Sequence, residues 1–322
     1  MALNLVRPDD RDYLPALFGD DSFDPHCPQA IAQRIALADP VELVALGREL
    51  GLAIAHDREE PAAQAVTVLC EGPTRKPPSR RPLIVDLSAL WAGPLTGHLL
   101  ALAGGDVVKL ESLGRPDSMR GGAPALFALL NQGKASVEAD FVRDRNQILA
   151  LLARADVVIE AARPRALLQL GIDAQALVGV NPGLVWLTIT AHGARGESAN
   201  WIGFGDDSAI AGGLGAALEM ATGRIGFGGD AVADPLTGIV AAGEAWQRYR
   251  SGCGGRIGVA MSAVVAKAIA EERAADAVRF ETELRGWTAA EGLPYPAHDP
   301  RDPAKALRPF GADTAYWLAP IC

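Results

Sequence analysis

Along this chain the spacing of apolar positions changes character. Between residues 22 and 56 they recur at helical intervals. The clearest helix start is Asp39-Pro40-Val41-Glu42, where an acceptor side chain precedes a proline at the first helical position and a glutamate completes a capping box. Val41, Leu43, Val44, Leu46 and Leu50 carry the stripe, and Gly51 closes it. Residues 65–70 (AVTVLC) read as a short strand, and residues 71–82 (EGPTRKPPSRRP), rich in proline and basic side chains, as a linker. From residue 82 onward, continuous apolar runs of strand length alternate with helical stretches. The strands are PLIVDL (82–87), DVVKL (106–110), DVVIE (156–160) and GLVWLTIT (183–190), and the helices cover 94–103, 146–154 and 165–170. Such alternation predicts an α/β fold with a mainly parallel sheet carrying helices on both faces. Residues 203–229 are rich in Gly and Ala, so backbone can approach a ligand closely there, and residues 235–250 and 259–286 read as further helices. The last 30 residues are Pro-rich and irregular, and no repeat of fixed period is present.

Composition narrows the class. With 322 residues, 49% hydrophobic and 21% charged, the chain can bury a sizeable core. Thirty Lys and Arg against 39 Asp and Glu leave a net charge of -9, which argues against a broad basic face for nucleic acid. Apolar runs stop well short of the ~20 residues that a membrane span needs, so no membrane association is expected. The first 21 residues are interrupted by Arg7, Asp9, Asp10, Arg11 and Asp12 and lack the apolar core of a signal peptide. Cys27, Cys70, Cys253 and Cys322 lie far apart with no Cys-x-x-Cys pair, which fits a reducing cytoplasm.

Candidate chemistry concentrates in a few places. His26, His56, His98, His192 and His298 show no metal-ligand spacing, so no metal site is expected. His192 follows a strand end and suits either an acid–base or a structural role. No Gly-x-Ser-x-Gly elbow is present. The turn Ala89-Leu90-Trp91-Ala92-Gly93-Pro94 lacks the three-glycine dinucleotide fingerprint, although Glu111 ends the following strand and the amides of the turn suit another phosphate-bearing ligand. Arg163-Pro164-Arg165 is either a phosphate contact or a solvated basic turn. Asp206-Asp207 and the segment 228–238 (GGDAVADPLTG) place carboxylates beside glycine turns at the expected mouth of the sheet. Of these, Asp234 precedes a proline at a helix start. That is the place of an ordinary N-cap, and also one where the macrodipole stabilises an ionised nucleophile or base.

The succession VDLSALWAGPLTGHLLALAGGDVVKLES, LLNQGKASVEADF, ADVVIEAARPRALLQLGID, NPGLVWLTITAHG, IGFGDDSAIAGGL and GDAVADPLTG resembles the class III CoA-transferase family, which includes formyl-CoA transferase, carnitine CoA-transferase and α-methylacyl-CoA racemase. The resemblance runs from about Leu83 to Val259 with the motifs in family order. It implies a Rossmann-like domain over 83–260, an N-terminal small-domain-like segment over 1–70, the linker at 71–82, and a C-terminal helix and tail over 261–322. The smaller domain would then be built from both chain ends; Asp39–Ala55 and Ala312-Asp313-Thr314 resemble parts of the family's small domain.

The resemblance implies transfer of CoA between an acyl-CoA and a carboxylic acid, with no tightly bound cofactor, by an interlocked homodimer. Asp234 stands at the nucleophile position and would pass through an aspartyl anhydride and an aspartyl-CoA thioester. Gly212, Gly213, Gly228 and Gly229 are the expected oxyanion and loop glycines. CoA contacts carried over by position are Leu90, Trp91, Ala92, Ser112 and Ala161, with Arg115, Arg163 and Arg165 as substitutes for missing charge. The chain departs from the family at Trp91, often Gln, at Ser112, often Arg, and at Ala161-Ala162, often Asn-Phe. A non-catalytic CoA-binding or partner subunit is therefore the alternative. Racemase chemistry is a minor one, since the racemase His position falls near Gly203-Phe204 with no His adjacent in sequence.

Overall fold

Among the described residues there are nine strands: β1 (Ala2–Asn4), β2 (Ala53–Ala55), β3 (Val66–Glu71), β4 (Leu83–Asp86), β5 (Asp106–Ser112), β6 (Ala135–Ala139), β7 (Val157–Glu160), β8 (Val185–Thr190) and β9 (Gly255–Ala260). The computed structural model describes residues 1–62, 64–162, 164–289 and 301–319. They divide into two compact units, each assembled from separate stretches of chain.

The larger unit comprises Val66–Thr190, Pro235–Val259 and the described part of 295–322. Its seven-stranded sheet has the order β3-β9-β8-β7-β4-β5-β6. β6, β5, β4, β7 and β8 are parallel, and β3 joins β9 antiparallel at the edge. Helices flank the sheet, and Val85, Val108, Leu110, Val137, Ile148, Leu151, Val158, Ile172, Val178 and Trp186 pack into its core. The far edge at β6 is covered from the tail. Ser136 N donates to Asp313 Oδ2 (2.9 Å), Asp313 N donates to Ser136 O (2.9 Å), and Glu138 N donates to Thr314 Oγ1 (2.9 Å), so the edge amides find partners within the chain.

The smaller unit comprises Met1–Ala65, Ala191–Asp234 and the described part of 260–294. β1 and β2 pair antiparallel, with Ala2 opposite Ala55. The helix Pro40–Glu49 starts as its sequence dictates, Asp39 accepting from the amides of Val41 and Glu42. Its Gly47 lies so close to β2 that an added Cβ would stand 2.8 Å from Ile54 Cγ2. Leu14, Leu17, Leu43, Val44, Leu52 and Ile54 form the core beneath. The helices Gly205–Ala211 and Leu214–Thr222 pack on Met261–Ala289, which is broken at Asp276.

Four features differ from the sequence expectation. The stretch 22–56 holds two helices, Pro28–Leu37 and Pro40–Glu49, separated because Pro40 disfavours helical backbone at Asp39, and it ends in a strand. Residues 255–260 (GRIGVA), next to a segment expected as helix from 259, form strand β9, since a short apolar run bounded by glycine is ambiguous until its neighbours are known. β9 in turn draws β3 into the large sheet, so the last strand of segment 1–70 leaves the other N-terminal elements. Residues 191–234, expected within 83–260, group with the N-terminal elements instead.

Candidate active site

Strand order reverses at β4, which has β5 on one side and β7 on the other. In open α/β sheets the crevice at the carboxyl ends of such strands is where ligands bind. Leu90, Trp91 and Ala92 follow β4, Ala161 follows β7 and Ser112 ends β5, so the structure brings these five positions to one end of the sheet. Arg115 is exposed, and its amide donates to Ser112 O (3.2 Å). Arg165 is exposed on the helix Pro164–Gln169, and Arg163 lies outside the described residues.

Buried charges hold the turn after β4 in shape. Leu90 adopts left-handed backbone (φ 68), and its amide donates to Asp117 Oδ1 at 3.2 Å. Asp117 pairs with Lys109 at 3.0 Å, and Lys109 Nζ also donates to Ser88 O at 2.8 Å. Ser88 N and Oγ both donate to Asp86, whose other oxygen accepts from Lys134 at 2.8 Å; Lys134 donates in addition to Pro94 O and Asn131 Oδ1. Burial pushes Asp86 up, but Lys134 and Lys109 outweigh it and hold the carboxyl below its ordinary value. Burial in turn draws Lys134 down to about 8 despite Asp86, so both partners are ionised at neutral pH. A Cβ built on Gly93 would overlap the Ser88 side chain. Gly93→Ala is therefore expected to cost about 1–3 kcal/mol in urea unfolding and to weaken any ligand bound at this turn.

Beside Ala161, a cavity of about 510 Å³ is lined by Glu160, Leu167, Leu168, Ile172, Asp173 and Arg256 among others. Glu160 accepts from Thr188 Oγ1 (2.6 Å) and Arg256 Nη2 (3.0 Å). Burial keeps its carboxyl above the usual range in spite of those two donors.

In the smaller unit the focus is Asp234. It lies half-buried in the first turn of the helix Ala233–Ser251, where the macrodipole favours a carboxylate. Its amide donates to Ala231 O (2.9 Å). Ala231 has φ 46, a left-handed conformation that costs a non-glycine residue about 1–2 kcal/mol. The Ala231 amide donates to Asp206 Oδ1 (2.9 Å). Facing this turn is Gly205, where any Cβ would overlap Asp234 Oδ2. Backbone therefore approaches the carboxylate where a side chain would otherwise cover it.

The Gly205 turn is itself tied down. Asp207, fully buried, accepts from Phe204 N (2.8 Å) and Asn4 Nδ2 (2.5 Å). His192 is buried with Nε2 3.6 Å from Asp207 Oδ2, and its ring meets Trp201 edge-on at 5.8 Å. Gly203 fits between His192 and Asp207, with space for no side chain. Asp206 is held above the ordinary carboxylate range by burial and by the negative charges of Asp230 and Asp207, opposed by the Ala231 amide.

The four expected loop glycines lie in the same unit. Gly212 fits against Ser262 O and Val265, where a close helix crossing requires it, and Gly228 fits against Leu214 and Trp287. Gly213 and Gly229 have positive φ and open space where a Cβ would be. The glycine packed on Asp234 is Gly205. It was legible in sequence only as part of the GFGDD run, and Asp206-Asp207, expected at the mouth of the sheet, serves this turn. Asp117 and the lysines were also missed. The signal for them was a lysine in the middle of the apolar strand DVVKLES, which demands a buried partner. Among the described residues no cluster of three or more His, Cys, Asp or Glu is placed to hold a metal ion, and no helix is long and apolar enough to cross a membrane.

Comparison with known proteins adds the following. The model of CoA-transferase family III matches residues 83–307. The succinyl-CoA–D-citramalate CoA-transferase of Chloroflexus aurantiacus is 32% identical over 198 residues, 56% of this chain and 49% of that enzyme. The succinate–glutarate CoA-transferase of Agrobacterium fabrum is 32% identical over 221 residues, 62% of this chain and 55% of that enzyme. The chain thus spans about half the length of these two relatives. The crystal structure of a CAIB/BAIF family protein from Brucella suis superposes with a TM-score of 0.52 at 26% identity, covering 63% of this chain and 59% of that one.

Proposed function

The chain belongs to CoA-transferase family III, and we propose that it moves CoA from an acyl-CoA to a carboxylic acid with Asp234 as the nucleophile. An Asp234 oxygen attacks the thioester carbonyl and expels CoA thiolate, leaving a mixed anhydride. The thiolate attacks the Asp234 carbonyl of that anhydride, releasing the donor acid and forming an aspartyl-CoA thioester. The acceptor carboxylate then displaces the thiolate to give a second anhydride. Attack of the thiolate on the acceptor's acyl carbon yields the new acyl-CoA and regenerates Asp234. Charge and atoms balance without a redox or proton-consuming step.

The observation that carries this reading is the Asp234 carboxylate at a helix N-terminus, packed on bare Gly205 backbone, in a segment that resembles the family's nucleophile turn. At Gly205 no side chain of that residue stands against the carboxylate. CoA itself is assigned to the end of the sheet at Leu90, Trp91, Ala92, Ser112 and Ala161, with Arg115, Arg163 and Arg165 near in sequence for its phosphates. An interlocked homodimer in the cytoplasm completes the proposal, and sedimentation of the purified chain tests the assembly. A non-catalytic CoA-binding subunit is the second reading, favoured by apolar Ala161 standing exposed at the end of β7 where the family often has a polar contact.

Calorimetric titration with free CoA and acetyl-CoA at low salt tests the binding half. Saturable binding is expected, followed by transfer in a screen of acyl-CoA and acid pairs that begins with succinyl-CoA. No binding by folded, dimeric protein would contradict the assignment. Binding without transfer across the screen would favour the non-catalytic reading.

A further inference from the structure

Nothing in the family match explains why an alanine, three residues before the proposed nucleophile, is held in left-handed backbone. Ala231 has φ 46, and its two backbone polar groups are both engaged: its carbonyl accepts from Asp234 N and its amide donates to Asp206 Oδ1, each at 2.9 Å. A strained conformation persists only where its surroundings over-determine it. Here the surroundings are the carboxylate of Asp206 on one side and the first turn of the nucleophile helix on the other. Gly205, adjacent to Asp206, lies against both Ala231 and Asp234 Oδ2. Asp206 therefore reaches the nucleophile through one residue, and the Gly205–Asp206 pair contacts the turn from both ends.

We propose that Asp206 is a positioning residue for the transfer: its hydrogen bond to the Ala231 amide holds the left-handed turn that seats the Asp234 carboxylate on Gly205. The proposal rests on the assignment of Asp234 as nucleophile. Without the clamp, Ala231 relaxes to ordinary negative φ, the entry to the Ala233–Ser251 helix turns, and the carboxylate leaves its seat. Misplacement of a reacting group by about 1 Å costs about 100-fold in rate. What the clamp requires is an acceptor on Asp206. Its negative charge, already disfavoured by burial beside Asp230 and Asp207, is not needed.

The test compares Asp206→Ala with Asp206→Asn, each first shown to bind CoA with the wild-type Kd. Asp206→Ala is expected to lower kcat about 100-fold with KM for acyl-CoA within about threefold, and Asp206→Asn, which keeps the acceptor, to stay within about threefold of wild type. If the alanine variant does not fold, Asp206→Ser, whose hydroxyl falls short of the amide, replaces it. Wild-type kcat in the alanine variant, or an asparagine variant as slow as the alanine one, overturns the proposal. A crystal structure of the alanine variant decides independently of activity. Ala231 at negative φ with Asp234 displaced from Gly205 supports the clamp, and an unchanged turn refutes it. Should the wild-type protein transfer no CoA at all, the nucleophile assignment fails by itself, and the clamp is judged on that crystal structure.

Discussion

Asp234→Asn is expected to lower CoA transfer by about 10⁴-fold or more while leaving the Kd for free CoA within about twofold of wild type. An amide at this position cannot add to a thioester and expel thiolate, so the proposed anhydride and enzyme-bound thioester would not form. The fold has little reason to change. Asparagine has nearly the volume of aspartate, and loss of one charge at the helix start costs about 0.3–1 kcal/mol. Steady-state transfer assays beside a CoA titration separate the two effects. Loss of binding together with activity would mean that Asp234 is structural.

The second large effect is on stability. Lys134→Met removes one partner from a fully buried pair and leaves the Asp86 carboxylate with its Ser88 hydrogen bonds and, for charge, only Lys109, which Asp117 and Ser88 already occupy. Breaking such a pair costs about 3–5 kcal/mol, or about 10 °C in Tm for a unit of this size. The penalty belongs to the stranded charge. Asp86→Leu combined with Lys134→Met is accordingly expected to recover more than half of the loss, and a double variant no better than the single one would refute the explanation. The pH dependence has a definite sign. Lys134 titrates near 8 in the folded chain against 10.5 for an ordinary lysine, so between those values the unfolded chain binds more protons. Wild-type stability gains from this group as pH rises from about 8 toward 10.5, and Lys134→Met lacks that gain. Asp86 works at the other end: held below 3.8, it contributes stability that is lost as pH falls through its folded value.

The parallel sheet was legible because its strands are continuous apolar runs, which only burial on both faces explains. The capped helix at Asp39 was legible for the same kind of reason, since N-cap acceptor, proline and glutamate all point to one start. β9 was not, because six residues of GRIGVA carry no period that separates strand from helix, and it is pairing with β3 that settles the matter. Nor was the grouping of 191–234 with the N-terminal elements, which depends on contacts between residues such as Asn4 and Asp207, 203 positions apart. At the candidate site, Asp234 was visible from its place between a glycine turn and a proline in the first turn of a helix. The residues around it were not. Gly205 and Asp206 serve Asp234 through backbone geometry, the one through a missing Cβ and the other through an amide of Ala231. Neither relation leaves a trace in spacing along the chain.

The account depends on a covalent bond to one carboxylate, and trapping it is the most direct measurement. Purified protein is mixed with the acyl-CoA that the transfer screen identifies, quenched with neutral hydroxylamine, digested and mapped by mass spectrometry. A hydroxamate on Asp234, absent without acyl-CoA and absent from Asp234→Asn, is the predicted result. Active transfer with Asp234 unmodified, or with the hydroxamate on another carboxylate, would contradict the account.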